Sequence, residues 1–522
     1  MLKLFENIDG SIDIIDNDLI IDNILPNYDL DKSINLLKTF NNSIIGDKKL
    51  YEYWSVDNFY ILPALQEWIF WDYFVPLVKY NKLFAKYDLN MIDLKNSSTI
   101  EGLIGLNKYK KIISKQPNIL LRIVKKFLIY ILQFLNPVND ILVFDDGIDG
   151  FRYKKIKDVF KNKIKYSRIH LLTKKDIFNL FYRKVFYFGY VDIFHKKNDK
   201  LLNNFKNYSN IDSYGFNMFI QNIDIKCNEI INSVSRSKKL LKKNKIKKIY
   251  GYDQIEFIIP LVIASKSLNI KIITHQHGVI TKYHAGWIAP GIPEKYCNIK
   301  SDKLIVWGKL WKNNILKYST KYLENDIVIG KHLNKDMKLS VKRKSNKSFN
   351  KQKKSLSLLY PFEFMANQKS VGLFLNKFIQ FGANITIKVR NPSPNDIAAG
   401  NIKRDSLSYD KELRKNIKFV YDLSDEEIIE SFDAILCTQS TYALEMMKLN
   451  IPIWYLETDL KFIDFIIDDN IAHKIAFKDI DLLFDENKEY VKIFSPLYDY
   501  KKYSEIFDQE NSDQLIIDEI IN

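Results

Sequence analysis

"DAILCTQSTYALEMMKLNIPIWYL", residues 433–456, sets an apolar run (433–437), a polar turn "TQST", a helix-patterned segment (440–450) and a second apolar run (451–456) end to end. Strand, helix, strand in that compass reads as a parallel βαβ unit. The turn delivers Ser440 and Thr441 to a helix N-terminus, where backbone N–H groups and the positive end of the dipole favour a phosphate. Hydroxyls there add donors to the same anion. Glu445 follows one turn later on the same face, placed to accept from ribose hydroxyls. Plain capping of the helix by Ser or Thr explains the pair equally well.

The alternation extends upstream. "SLSLLY" (355–360) is a strand, "SVGLFLNKFIQFG" (370–382) a helix ended by Gly382, "NITIKV" (384–389) and "IKFVY" (417–421) are strands, and "SDEEIIESF" (424–432) is a helix with Ser424 and Glu427 in capping-box positions. A second βαβ unit lies in "KIKKIYGYDQIEFIIPLVIASKSLNIKIITHQHGVI" (245–280), with a further strand at 303–308. Earlier still, "ILVFDDGIDG" (141–150) is an apolar strand running into Asp145, Asp146 and Gly147, and residues 51–90 form an aromatic, largely helical stretch. The expectation is an α/β chain of two domains. Residues 1–335 form the first, 336–354 a basic linker, 355–495 the second, and 496–522 a tail packing back on the first.

Length agrees, since 522 residues exceed one ordinary core. Three scattered cysteines form no disulfide framework, and the N-terminus lacks a secretory pattern, so a cytoplasmic protein is expected. No apolar run reaches membrane-spanning length. "NILLRIVKKFLIYILQFL" (118–135) is interrupted by Arg122, Lys125 and Lys126, and reads either as a domain helix or as a basic amphipathic helix at a membrane surface. The net charge of +16 and the run "KRKSNKSFNKQKK" (342–354), with seven Lys or Arg, suit a phosphorylated substrate or the anionic inner face of a membrane. No nucleic-acid-binding module is recognisable, so nucleic acid is not expected as a partner.

Two further groups bear chemistry. A carboxylate at the C-terminal edge of a strand lies where α/β domains bind ligands, and a neighbouring like charge raises one pKa, which suits a general base. Asp145 and Asp146 fit that description; they also fit a solvated Asp-Asp-Gly turn. In "THQHGVITKYHAG" (274–286), His275, His277 and His284 gather three of the seven histidines within ten residues. His277 serves either a ligand or the structure, and no carboxylate or cysteine at ligand spacing supports a metal.

In order along residues 300–460, with "YPFEF" (360–364) ending the second domain's first strand and "IKVRNPSP" (387–394) ending a later one, the chain resembles GT-B glycosyltransferases. Within these it is similar to bacterial sialyltransferases, which carry a D/E-D/E-G, an H-P and an S-S/T motif. Asp145-Asp146-Gly147 and Ser440-Thr441 match the first and third. The second reads Asn391-Pro392, following Lys388 and Arg390. The Gln276-His277-Gly278 sequence resembles a motif of transferases that build capsules and lipopolysaccharides, including those handling Kdo.

What the resemblance implies is a GT-B pair of Rossmann-like domains facing across a cleft, and inverting transfer of a nonulosonic acid from a CMP donor to an oligosaccharide or lipid-linked glycan. No metal and no cofactor beyond the donor is implied. Asp146 or Asp145 would act as base, with His277 at the reacting groups. Ser440, Thr441, Glu445, Lys388, Arg390, Asn391, Gln276, Gly278 and Tyr360 would bind the donor. Asn391 cannot protonate a leaving group as histidine would, so help to the departing phosphate would be electrostatic. Kdo, UDP-hexose and CDP-glycerol donors remain open on the same fold. The alternative of another class is a non-catalytic basic protein binding a membrane surface or nucleic acid.

Overall fold

The computed structural model describes residues 3–6, 12–16, 19–24, 28–87, 138–144, 151–160, 163–171, 184–187, 216–253, 258–333, 355–363, 368–389, 411–421, 423–458, 461–487, 489–490, 494–508, 510 and 513–521. Asp145, Asp146, Gly147, Arg390, Asn391, the basic helix at 118–135 and the linker at 336–354 lie outside them. The chain divides into two compact units: residues 31–333 with 510–522, and residues 1–30 with 334–509. No described helix is long and apolar enough to cross a membrane.

The first unit is built on a parallel sheet of seven strands. In spatial order they are Lys184–Tyr187, Ser167–Leu171, Ile141–Phe144, Lys248–Tyr252, Lys271–His275, Lys303–Val306 and Ile327–Ile329. Counted along the chain this is 3-2-1-4-5-6-7, the Rossmann order with one added strand. Strands buried on both faces read as continuous apolar runs, which is why Ile141–Phe144 and Ile272–Thr274 stand out in the sequence. The C-terminal helix Asp513–Ile521 packs on this sheet through Ile516, Ile517 and Ile520 against Val143, Phe160 and Tyr250. An ion pair of Lys331 with Asp513 at 2.6 Å adds to that contact. The aromatic stretch forms helical turns over Leu62–Lys79. It docks on the long helix Phe216–Lys243, where Tyr73 stacks on Phe219 with ring centroids 3.7 Å apart.

In the second unit six parallel strands lie in the order Ile417–Val420, Asn384–Lys388, Ser357–Pro361, Ala434–Cys437, Ile453–Leu456 and His473–Ile475. Along the chain this is again 3-2-1-4-5-6. One face of the sheet buries Leu358, Tyr360, Leu436 and Trp454 beneath the helix Gln368–Gln380. That helix ends as expected at Gly382, whose φ of +82° no β-carbon opposes. The Gly382 N–H bonds to Ile379 O at 2.8 Å and the Ala383 N–H to Phe378 O at 3.0 Å, the double closure of a Schellman motif. The box of Ser424 and Glu427 also forms, with bonds of 2.7 and 3.1 Å. Both units are therefore Rossmann-like, and the chain is the expected α/β protein of two such domains.

In a sheet of this order the switch point lies between strands 1 and 4, where connections leave in opposite directions and open a crevice at the C-terminal edge. The first unit brings Ile141–Phe144 against Lys248–Tyr252 there. The approach is close: a methyl on Gly251 would stand 2.9 Å from Phe144 Cβ and 3.2 Å from its carbonyl oxygen. Gly251→Ala is expected to destabilise the unit by about 1–3 kcal/mol, as overpacking in a rigid sheet does. Denaturant titration checks this, and an unchanged midpoint would mean the strands part without strain.

Candidate functional site

At the switch point of the second unit, Ser357–Pro361 and Ala434–Cys437 run side by side. Past their ends stand Glu363 and the turn Thr438-Gln439-Ser440, held together by the Glu363 carboxylate. Its Oε1 accepts from the N–H of Ser440 at 2.8 Å and of Thr438 at 3.1 Å. Oε2 accepts from the N–H of Gln439 at 2.9 Å and of Thr438 at 3.0 Å, and from the Thr438 hydroxyl. Of the amides at the start of the following helix, Ser440's is thus occupied by a side chain of the protein. Glu363 is buried (4% exposed), and burial pushes its carboxyl up to about 7 against the lowering effect of these bonds.

Ser440 caps the short helix Thr441–Glu445, its Oγ accepting from the Tyr442 N–H at 3.1 Å. Ser440, Thr441 and Glu445 are half-buried. Lys388 ends the strand on the other side of Ser357–Pro361, and the Phe362 N–H bonds to its carbonyl at 2.9 Å. Its ammonium stands over the Tyr442 ring, 4.8 Å from the centroid. The sheet order therefore brings a cation, two hydroxyls and a carboxylate-held turn to one edge. A cation with hydroxyl donors suits a phosphoester.

The switch point of the first unit carries a second polar group. Asp253 follows the strand Lys248–Tyr252 and is buried (4% exposed). The Trp287 indole N–H donates to its Oδ2, and the Tyr322 hydroxyl lies 3.5 Å from Oδ1. Burial raises the Asp253 carboxyl, opposed first by Lys321 and then by His284. The Trp287 ring packs against His284, centroids 4.2 Å apart, and against His277 at 5.2 Å. His284 Nδ1 is 3.0 Å from the Val279 carbonyl and its Nε2 3.4 Å from Glu67 Oε1. Glu67 also accepts from the Gly286 N–H at 2.8 Å and from the Trp71 indole at 2.7 Å. Gly286 permits this, since a β-carbon there would sit 3.0 Å from Glu67 Cβ.

No protein-family model matches the chain, and no curated protein matches it. Among solved structures it is similar to Anabaena HepE in complex with UDP and glucose, at 11% identity over 73% of this chain and 99% of that one, TM-score 0.41. It is also similar to UDP-GlcNAc 2-epimerase from Neisseria meningitidis bound to UDP-GlcNAc, at 10% identity over 73% and 99%, TM-score 0.40. MurG of Acinetobacter baumannii matches at 12% identity over 73% and 98%, TM-score 0.39.

Of the residues singled out in the sequence, Ser440, Thr441 and Lys388 come together in the second unit, with Glu445 one turn on. Tyr360 is fully buried in the core of that sheet. In the first unit His277 is half-buried beside His284 and Trp287, and Gly278 follows it. His275 is a buried residue whose ring bonds the Tyr250 hydroxyl at 3.1 Å and the Lys331 carbonyl at 3.0 Å; burial lowers its pKa to about 3, so it stays neutral. Gln276 is equally buried, its amide joined to the Trp307 N–H at 2.9 Å and the Gly278 carbonyl at 2.8 Å. Sequence reasoning passed over Glu363, Asp253, Trp287 and Glu67. For the first two a signal existed: an acidic residue within two positions of an apolar strand's end, in "YPFE" and "IYGYD". For Trp287 and Glu67 none did.

Proposed function

We propose that the chain is an inverting glycosyltransferase, moving a nonulosonic acid of the sialic, pseudaminic or legionaminic type from a CMP donor to a capsule or lipopolysaccharide acceptor. The observation that carries this reading is the Lys388 ammonium, 4.8 Å from the centre of the Tyr442 ring, above the helix that Ser440 and Thr441 begin. Those hydroxyls hold the donor phosphate, Glu445 the ribose, and Lys388 with Arg390 and Asn391 the charge that develops as CMP departs. Asp146, or Asp145, removes the proton of the acceptor hydroxyl, and the freed oxygen attacks the anomeric carbon on the face opposite the leaving phosphate. His277, packed on Trp287, orients the reacting sugar. Neither the base nor the electrostatic help requires a metal. The net charge of +16 suits work in the cytoplasm at the inner face of the membrane, where lipid-linked acceptors are presented.

The test is nucleotide release by the purified chain against CMP-nonulosonates, CMP-Kdo, UDP-sugars and CDP-glycerol, with a lipid-linked or oligosaccharide acceptor and no added metal. Acceptor-dependent release of CMP from one nonulosonate is expected. Release from a UDP or CDP-polyol donor alone would overturn the donor. Silence with every donor, together with salt-sensitive binding to anionic lipid or nucleic acid, would overturn the enzyme.

A further inference from the structure

A carboxylate has room for about four donors, and in Glu363 the four places are filled from one turn: three consecutive backbone N–H groups and the Thr438 hydroxyl. Consecutive amides converging on one point form an anion seat, and without an anion they would be buried donors left unsatisfied. Glu363 supplies that anion from the neighbouring strand. The turn's shape therefore depends on it, and so does the direction in which Ser440 leaves the turn as cap of the next helix.

We propose that Glu363 is the positioning residue of the donor site: by holding the amides of Thr438, Gln439 and Ser440 it fixes the turn that presents the Ser440 and Thr441 hydroxyls to a donor phosphate. The role in binding rests on the reading of that pair given above. A protonated Glu363 carries a donor hydrogen that either displaces one of the amides or reverses the Thr438 bond so that its hydroxyl accepts, and in both cases the amides lose the full negative charge that holds them. Burial brings this protonation to about pH 7, inside the working range of a cell. Two described neighbours do not titrate there. The Cys437 thiol and the Tyr455 hydroxyl, on the next two strands, are both pushed up by burial and stay neutral. On the strand to the other side the charged group is the Lys388 ammonium.

Binding of CMP and of UDP, as probes, is measured by calorimetry on the full chain at pH 6 and pH 8, for the wild type, Glu363→Gln and Ser440→Ala. The ionised fraction of Glu363 changes from about nine-tenths to about one-tenth across that interval. The affinity of the wild type relative to Glu363→Gln is therefore expected to fall about tenfold from pH 8 to pH 6, titration of the probe's own phosphate cancelling in the ratio. A ratio that does not move overturns the proposal. Hydrogen exchange in the unligated wild type tests the clamp without any variant or nucleotide: the amides of residues 438–440, corrected for intrinsic rates, lose protection between pH 8 and pH 6. Protection that is independent of pH overturns the clamp. Loss of binding in Ser440→Ala supports the phosphate reading, while a wild type that binds neither probe removes that reading and leaves the clamp to be decided by exchange alone.

Discussion

Asp146→Asn is expected to lower transfer about a hundredfold to ten-thousandfold at saturating donor, the usual contribution of a general base, with CMP affinity unchanged. The expectation starts from the sheet. Ile141–Phe144 is the strand at the switch point of the first unit, hydrogen-bonded to Lys248–Tyr252, so its C-terminal end lies at the edge where such sheets bind ligands. The neighbouring strand ends in Asp253, a buried acid already joined to Trp287 and Tyr322. Asp253 is thus engaged in packing, and the base proposed above is the Asp145–Asp146 pair. Asp145→Asn serves as comparison, because both variants remove one like charge whereas only one removes the base. If Asp146→Asn turns over at near the wild-type rate and Asp145→Asn does not, the base is Asp145. If neither slows transfer, the pair is a solvated turn and the chemistry lies elsewhere. Calorimetry with CMP separates these outcomes from a loss of donor binding.

How much of this was legible in the sequence follows from what each signal needs. Ala434–Cys437, Ile453–Leu456 and Lys303–Val306 announce themselves as apolar runs because both faces of a parallel sheet are buried. Gly382 and the Ser424–Glu427 box are local chemistry and fall where they were expected. Lys184–Tyr187 at the edge of the first sheet and Ser167–Leu171 beside it carry Lys184, Arg168 and His170, so their four or five residues give no such run. Helix Phe216–Lys243 opens with three residues of mixed character. The site was legible where one segment contains it, as with Ser440 and Thr441. It was hidden where sheet order assembles it. Glu363 lies 75 residues from Thr438, and Glu67 lies 219 from Gly286. Only the adjacency of strands 1 and 4 makes the first pair neighbours.

The same kind of long-range assembly makes Trp287 a side chain whose loss should cost the first unit heavily. Trp287→Ala removes a buried indole (3% exposed), which by itself destabilises by about 3–5 kcal/mol. It also takes the indole N–H from Asp253, leaving a buried carboxyl short of a donor at a further cost of about 1–3 kcal/mol. Trp287→Phe separates the two contributions, since it keeps most of the ring and loses the N–H; about 1–3 kcal/mol is expected from denaturant unfolding. Combining it with Asp253→Asn in a double-mutant cycle should show non-additivity, because the two side chains share one bond. Additive costs, or a Trp287→Ala variant within about 1 kcal/mol of wild type, would mean the crevice collapses around the loss. Activity then distinguishes scaffold from site. The ring lies 4.2 Å from His284 and 5.2 Å from His277, so if His277 orients a sugar, Trp287→Phe should retain more transfer than its stability alone would allow Trp287→Ala to keep. Equal losses in two variants of unequal stability would detach His277 from the reaction, because the only difference between them at that histidine is the ring it packs on.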